Sequence, residues 1–233
     1  MEKYVIGLDY GTLSARAVLV SVGSKEVAAE SIYLYPHGIL STIPGWDKEL
    51  SADFALQEID DYVEGMYQTI PTVVEKSGCR AEDIIGIGID ATSSTFLPLT
   101  KSGVPLGKTE GFRANPHAQL KLWKHHGAQK EADRITELAA RRQEKFLKRC
   151  GGRVNAEWML PKLMEIAVNA PEVYEAADNF MEVSDYLVFL LTGEVTRCMC
   201  HAGYKLLWNE EEGYPSEDFL TALHPLLSSL RTR

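Results

Sequence analysis

Tyr4-Val5-Ile6-Gly7-Leu8-Asp9-Tyr10-Gly11-Thr12-Leu13-Ser14-Ala15-Arg16 reads as a buried β-strand, a tight turn rich in small hydroxyl residues, and the start of a returning strand that runs from Arg16 to Val22. A phosphate suits that turn. Gly11 lets backbone approach an anion, Thr12 and Ser14 add hydroxyl donors, Arg16 adds a forked cation, and Asp9 is a ligand for Mg²⁺ held through its waters. At the turn itself a second reading stays open, because an ordinary β-hairpin uses the same Asp, Gly and Thr residues.

Working outward, Gly23-Ser24-Lys25 is turn-like and Val27 to Leu34 resumes as a third strand, so the chain opens as an antiparallel meander with a sheet edge on its outer side. Residues 35–49, with Pro36, Gly38, Pro44 and Gly45, have neither period and read as a long loop. Ser51 is a candidate N-cap for a helix whose apolar positions are Leu56, Ile59, Val63, Met66, Ile70 and Val73; Pro71 should kink or interrupt its last turns and Gly78 should end it. Ile84-Ile85-Gly86-Ile87-Gly88-Ile89 has the composition of a strand buried on both faces. It runs into Asp90-Ala91-Thr92-Ser93-Ser94-Thr95, a polar loop at the carboxyl end of that strand, where ligands of α/β sheets commonly sit and where simple turn chemistry is the competing reading.

Phe96 to Leu106 suggests a short hairpin. Asn115-Pro116 is a cap-and-first-turn signal for a helix through Leu120, Leu122 and Trp123 with Lys124, His125 and His126 at its basic end. A charged helix is expected over Glu131 to Arg149, stopped by Gly151-Gly152, and its Arg141, Arg142 and Lys145 read as a solvated face. Asn155 should cap a helix over Ala156 to Val168, Pro171 to Ala177 a short one, and Ser184 another that closes at Thr192-Gly193. Short strands and turns then precede a last helix from Ser216. The fold class is α/β, one domain with a mixed sheet opened by the meander and helices packed around it.

Composition narrows the function. With 24 basic and 33 acidic side chains the formal charge is −9, which argues against nucleic acid and against an anionic membrane surface as partners. No apolar run reaches the ~18 residues of a membrane span and the N-terminus lacks a signal-peptide layout, so a cytoplasmic location is expected. Cys79, Cys150, Cys198 and Cys200 include one C-x-C pair, whose side chains would share a face on a strand, but no second pair to complete a zinc site; no histidine spacing suggests a metal.

The opening turn, together with Gly86-Ile87-Gly88-Ile89-Asp90-Ala91-Thr92, Asn115-Pro116-His117-Ala118 and Leu122-Trp123-Lys124-His125-His126, resembles the N-terminal domain of the FGGY carbohydrate kinases. Gly151 to Lys162, Pro171-Glu172-Val173-Tyr174, Ser184-Asp185-Tyr186-Leu187 and Ala202-Gly203-Tyr204-Lys205-Leu206-Leu207-Trp208 extend the resemblance over nearly the whole chain and narrow it to ribulokinase-like members. It implies an actin-like, ribonuclease-H-type fold, with ATP and Mg²⁺ bound between two such domains. It also implies transfer of the γ-phosphoryl of ATP to the O5 hydroxyl of ribulose. Carried over residue by residue, Asp9 organises Mg²⁺, Gly11, Thr12 and Ser14 face the transferring phosphoryl, and Arg16 supports the turn. Asp90, Ala91 and Thr92 line the sugar pocket, Lys205 reaches sugar hydroxyls, and Glu157 and Trp158 approach the substrate. For Lys205 a surface lysine over aromatic rings is the competing reading, and for Glu157 a first-turn acid of a helix.

The resemblance also implies a general-base aspartate and an adenosine-binding domain later in the sequence than Arg233, since full-length relatives are about twice as long. Residues 1–233 are therefore expected to be the sugar- and phosphate-binding domain, not a competent kinase alone, with a missing C-terminal domain as partner and an apolar inter-domain face that favours homo-oligomers. Kinases for xylulose, glycerol or another polyol, a non-catalytic sugar-binding module, and an actin- or Hsp70-like ATPase are the alternatives.

Overall fold

The computed structural model describes residues 2–46 and 48–232; Arg233 lies outside them. Strands β1 (Tyr4–Tyr10) and β2 (Ser14–Ser21) pair antiparallel from Tyr4↔Ser21 to Tyr10↔Ala15, and β3 (Val27–Leu34) completes the meander. Three strands form in the order expected, but β1 runs on through Asp9 and Tyr10 and β2 begins at Ser14, three residues whose sequence reads as turn. Strand β4 (Leu56–Gln57) and helix α1 (Ile59–Ser77) follow, then β5 (Ile84–Ala91), which runs parallel to β1. Next come β6 (Phe96–Leu99), β7 (Leu120–Lys121), α2 (Gln129–Arg142), α3 (Phe146–Arg149), α4 (Met159–Asn169), α5 (Pro171–Ala176), β8 (Asn179–Glu182), α6 (Val183–Thr192), α7 (Met199–Lys205) and α8 (Glu217–Leu223). Among the described residues two four-stranded sheets form, in the orders β3-β2-β1-β5 and β4-β7-β6-β8. No described helix is long and apolar enough to cross a membrane.

Helix α1 covers one face of the first sheet. Ile6, Leu8 and Tyr10 from β1 and Ala15, Ala17 and Leu19 from β2 meet Tyr62, Met66 and Val73 of the helix in one core, and Tyr62 stacks on Tyr10 with ring centroids 5.8 Å apart. The closest approach is at Gly65, where a Cβ would lie 2.8 Å from the Cβ of Ala15. Gly65→Val is expected to lower the unfolding free energy by about 1–3 kcal/mol through overpacking. Urea denaturation reads this, and an unchanged midpoint would mean that helix and sheet can separate freely. A second core gathers α2 to α5, α8 and the last turns around Leu160, Leu163, Ile166, Tyr174, Phe180 and Phe219.

Several local expectations are corrected. Ser51 is not the N-cap of α1: Leu56 is held by β7, and Glu58 caps the helix, its side chain accepting from the Asp60 amide. Pro71 does not interrupt the helix; it lies on the exposed side of α1, as does Tyr67, the residue whose carbonyl it leaves without a helical donor. Gly78 ends the helix at φ 67° as expected. Strand β5 is not buried on both faces: it is an edge of its sheet, Ile85 and Ile87 are 60% and 43% exposed, and Gly86 and Gly88 face open space.

The signal at Asn115-Pro116 yields one 3₁₀ turn, Pro116–Ala118, after which Leu120–Lys121 joins the second sheet; His125 is buried and is not a helix-end cation. Residues 131–149 form two helices, because Gln143 takes a left-handed conformation at φ 57°. Helix α4 starts at Met159, after a turn in which Asn155 accepts from the Glu157 amide. Cys198 and Cys200 open α7 and do not lie on a strand.

Candidate functional site

The turn between β1 and β2 is drawn in by the Gly11 amide, which donates to the Ser14 carbonyl over 2.9 Å. Directly paired strand residues share a face, so the register Asp9↔Arg16 and Asp9↔Asp90 sets these three side chains in one row, on the face opposite α1. Arg16 reaches Asp9 at 3.7 Å, and both remain more than half exposed at the edge of a shallow groove that Gly7, Val18 and Gly88 also line. Ser14 lies on the same face by alternation but is buried. The donor set fits a hydrated divalent cation beside polyphosphate, which needs one or two carboxylates from the protein: Asp9 would hold it, with Asp90 next to it.

Thr12 links the turn to the second sheet. Its carbonyl accepts from Gln57 (2.7 Å), which Tyr62 orients through its own hydroxyl (2.6 Å), and its hydroxyl accepts from the Trp123 indole (3.1 Å), leaving its proton free to donate. The Trp123 amide in turn donates to the Thr95 hydroxyl (3.1 Å), which lies 2.8 Å from the hydroxyl of Thr92. Thus the turn between β1 and β2 and the loop after β5 are one hydrogen-bonded unit. Sequence reasoning missed Trp123 and Gln57, because each acts through a partner that only the fold brings near.

Asp90 accepts from the Ala91 amide at 3.0 Å, and the Thr92 amide donates to the Tyr10 carbonyl at 3.3 Å. Lys205, at the end of α7, donates to the Ser93 carbonyl (3.1 Å) while its ammonium stands 5.7 Å from the Tyr204 ring centroid. Burial draws its pKa down, with Glu182 and Glu157 opposing. Glu157 precedes α4 and is not in its first turn; its carboxylate pairs with His126 at 2.8 Å. Trp158 is half-buried, packed against the second core and lining a groove with Phe146, Tyr204 and Trp208.

Beneath the loop lie two titratable side chains that sequence reasoning did not single out. Lys162 interrupts the apolar run of α4 and is fully buried, which holds its pKa well below the usual lysine value. Glu182, the last residue of β8, is pushed up to about 8 by burial, with the Ser94 amide and Lys162 opposing. A charge inside an apolar stretch is the one sequence signal that could have found Lys162.

The description "FGGY family of carbohydrate kinases, N-terminal domain" belongs to a family model that matches residues 4–225. A ribulokinase of Geobacillus thermodenitrificans is 45% identical over 230 residues, covering 98% of this chain and 41% of the relative. One from Staphylococcus aureus is 38% identical over 229 residues, covering 98% and 42%. Among solved structures, gluconate kinase from Lactobacillus acidophilus superposes with a TM-score of 0.72 at 17% identity, over 96% of this chain and 40% of that one. The chain spans about two fifths of the length of the curated relatives it matches.

Proposed function

Because the chain belongs to the FGGY family of carbohydrate kinases and has the actin-like α/β fold of their structures, we propose that it supplies the sugar- and phosphate-binding part of a ribulokinase. That enzyme would move the γ-phosphoryl of ATP to the O5 hydroxyl of L-ribulose. Such transfer needs alignment and dispersal of charge more than covalent chemistry. In this reading Asp9 holds the Mg²⁺ that accompanies ATP, Thr12 donates to the transferring phosphoryl, Gly11 lets that phosphoryl approach the backbone, and Ser14 and Arg16 support the turn. Ala91, Thr92 and Lys205 hold the sugar, with Asp90, Glu157 and Trp158 around them. The base for the sugar hydroxyl and the adenosine site are supplied by the part of the polypeptide that the longer relatives have and residues 1–233 do not cover.

One observation carries the reading: the chain of contacts Thr12, Trp123, Thr95, Thr92 sets the phosphate-side turn in fixed register with the loop that Lys205 touches. Calorimetric titration of the chain with L-ribulose, D-xylulose and glycerol tests it. Ribulose is expected to bind tightest, and Lys205→Ala to weaken it roughly 10- to 100-fold, the loss of a charged hydrogen bond. Equal binding of all three, or ribulose binding untouched by Lys205→Ala, would overturn the assignment.

A further inference from the structure

We propose that Lys162 and Glu182 are positioning residues that grip Ser94 from both sides and so fix the loop Asp90-Thr95 on which the sugar site is built. Naming the loop as sugar-binding rests on the function proposed above; the grip itself does not. Ser94 sits at φ 65°, in the left-handed region. A serine there is unfavourable and persists only where its surroundings over-determine it. Here they do. The Ser94 amide donates to Glu182 Oε1 at 3.0 Å, and the Ser94 carbonyl accepts from Lys162 Nζ at 3.0 Å. Both gripping side chains are buried, and they come from different elements, β8 and α4.

Lys162 does more than hold one carbonyl. Its ammonium has three protons, and it has three carbonyl acceptors: Ser94 at 3.0 Å, Leu122 at 2.8 Å and Trp123 at 2.9 Å. The loop after β5 and the turn carrying Trp123 are thereby stapled to one point. Trp123 then reaches Thr12 of the phosphate-side turn, and Ser93, next to the gripped residue, presents its carbonyl to Lys205. A planar guanidinium cannot aim at three carbonyls that converge on a point, and a methionine of the same length offers no donor.

The test compares Lys162→Met, Glu182→Gln and, as a destabilised control in the packing of α1 on β2, Gly65→Val. Amide hydrogen exchange, read residue by residue by NMR, reports the loop independently of any sugar. In Lys162→Met, protection at Thr92 to Thr95 and at the Trp123 amide and indole is expected to fall at least ~100-fold more than in the β1–β2 pairing. In Gly65→Val it should follow global stability alone. Glu182→Gln, which keeps the Oε1 acceptor, should retain the wild-type pattern at Ser94. Should Lys162→Met fail to fold, Glu182→Leu, which takes a carboxyl out of a buried site, serves in its place and should lose the Ser94 protection. Loop protection that falls only in proportion to global stability, or Glu182→Gln behaving as Glu182→Leu, overturns the grip. Ribulose titration of the same proteins separates the two readings: an intact loop pattern in a chain that binds no ribulose refutes the sugar assignment and leaves the grip standing, whereas weaker ribulose binding in Lys162→Met at unchanged loop protection refutes the grip.

Discussion

Glu165→Gln is expected to lower the unfolding free energy by about 3–5 kcal/mol, the cost of leaving a buried charge without its partner. Lys121 is fully buried, and its ammonium lies 3.0 Å from Glu165 Oε2, with His125 Nε2 at 2.9 Å on the same oxygen. Burial alone would raise the Glu165 pKa; Lys121, His125 and His117 outweigh it and hold the carboxylate ionised, below its usual range. Burial also draws Lys121 down, and Glu165 opposes that. Beyond Glu165 the ammonium has His125 Nε2 at 3.4 Å and the ring of Phe54, centroid 5.0 Å away, neither of which replaces a carboxylate. The double variant Lys121→Met/Glu165→Leu should recover most of the loss, because it removes both charges together. Urea denaturation of the three proteins decides the matter: a single variant within ~1 kcal/mol of wild type would mean that Lys121 is neutral in the fold.

Acid should weaken the protein through two histidines. Burial, then the charge of Lys121, lowers His117 to about 3 and His125 to about 4. Unfolded, both titrate near 6.5, so between pH 6.5 and 4 the unfolded chain binds more protons and stability falls as pH falls. Each contributes on the order of 1.4 kcal/mol per pH unit over that window. Glu182 acts in the opposite direction. Raised to about 8, it keeps in the fold a proton that the unfolded chain sheds above about 4.5, so its contribution declines as pH rises from there to 8. Between pH 6.5 and 4.5 the two histidines outweigh Glu182, so stability is expected to fall with acid there, and more steeply below pH 4.5, where Glu182 no longer opposes them. His117 has a buried Nδ1 with no hydrogen-bond partner among the described residues, and His117→Leu should reduce that acid slope by about half. Melting temperatures measured from pH 4 to 8 check this, and an unaltered slope would place the acid sensitivity elsewhere.

The meander was legible because its information is local. Alternation along Tyr4 to Leu34, broken by Gly11 and by the turn at Gly23, fixes strands and faces without help from distant residues, and Gly78, Gly193 and Ser216 mark helix ends by backbone geometry alone. The second sheet was not legible. Strands β4 and β7 are two residues each, too short for a period, and their pairing depends on partners far along the chain. Apolar content misled at β5, where Ile85 and Ile87 have the composition of a core strand and the exposure of an edge. At the site, the opening turn was read from its own chemistry and Lys205, Ala91, Glu157 and Trp158 from the family resemblance, whereas Trp123, Lys162 and Glu182 act on neighbours and become visible only when those neighbours are in place.

The pairing of β6 with β8, from Phe96↔Glu182 to Leu99↔Asn179, also sets an order of assembly. The three-stranded meander can form first, since its pairings join neighbouring strands, and α1 can pack on it once residues 4–77 are available, across a longer separation such as Tyr10 to Tyr62. Strand β6 must wait for β8, and until Glu182 has left the ribosome the Ser94 amide has no acceptor and the strands around it have one open side. Folding should therefore show an early phase confined to the N-terminal third and a slower one in which both sheets close together, with loop closure and not collapse setting its rate.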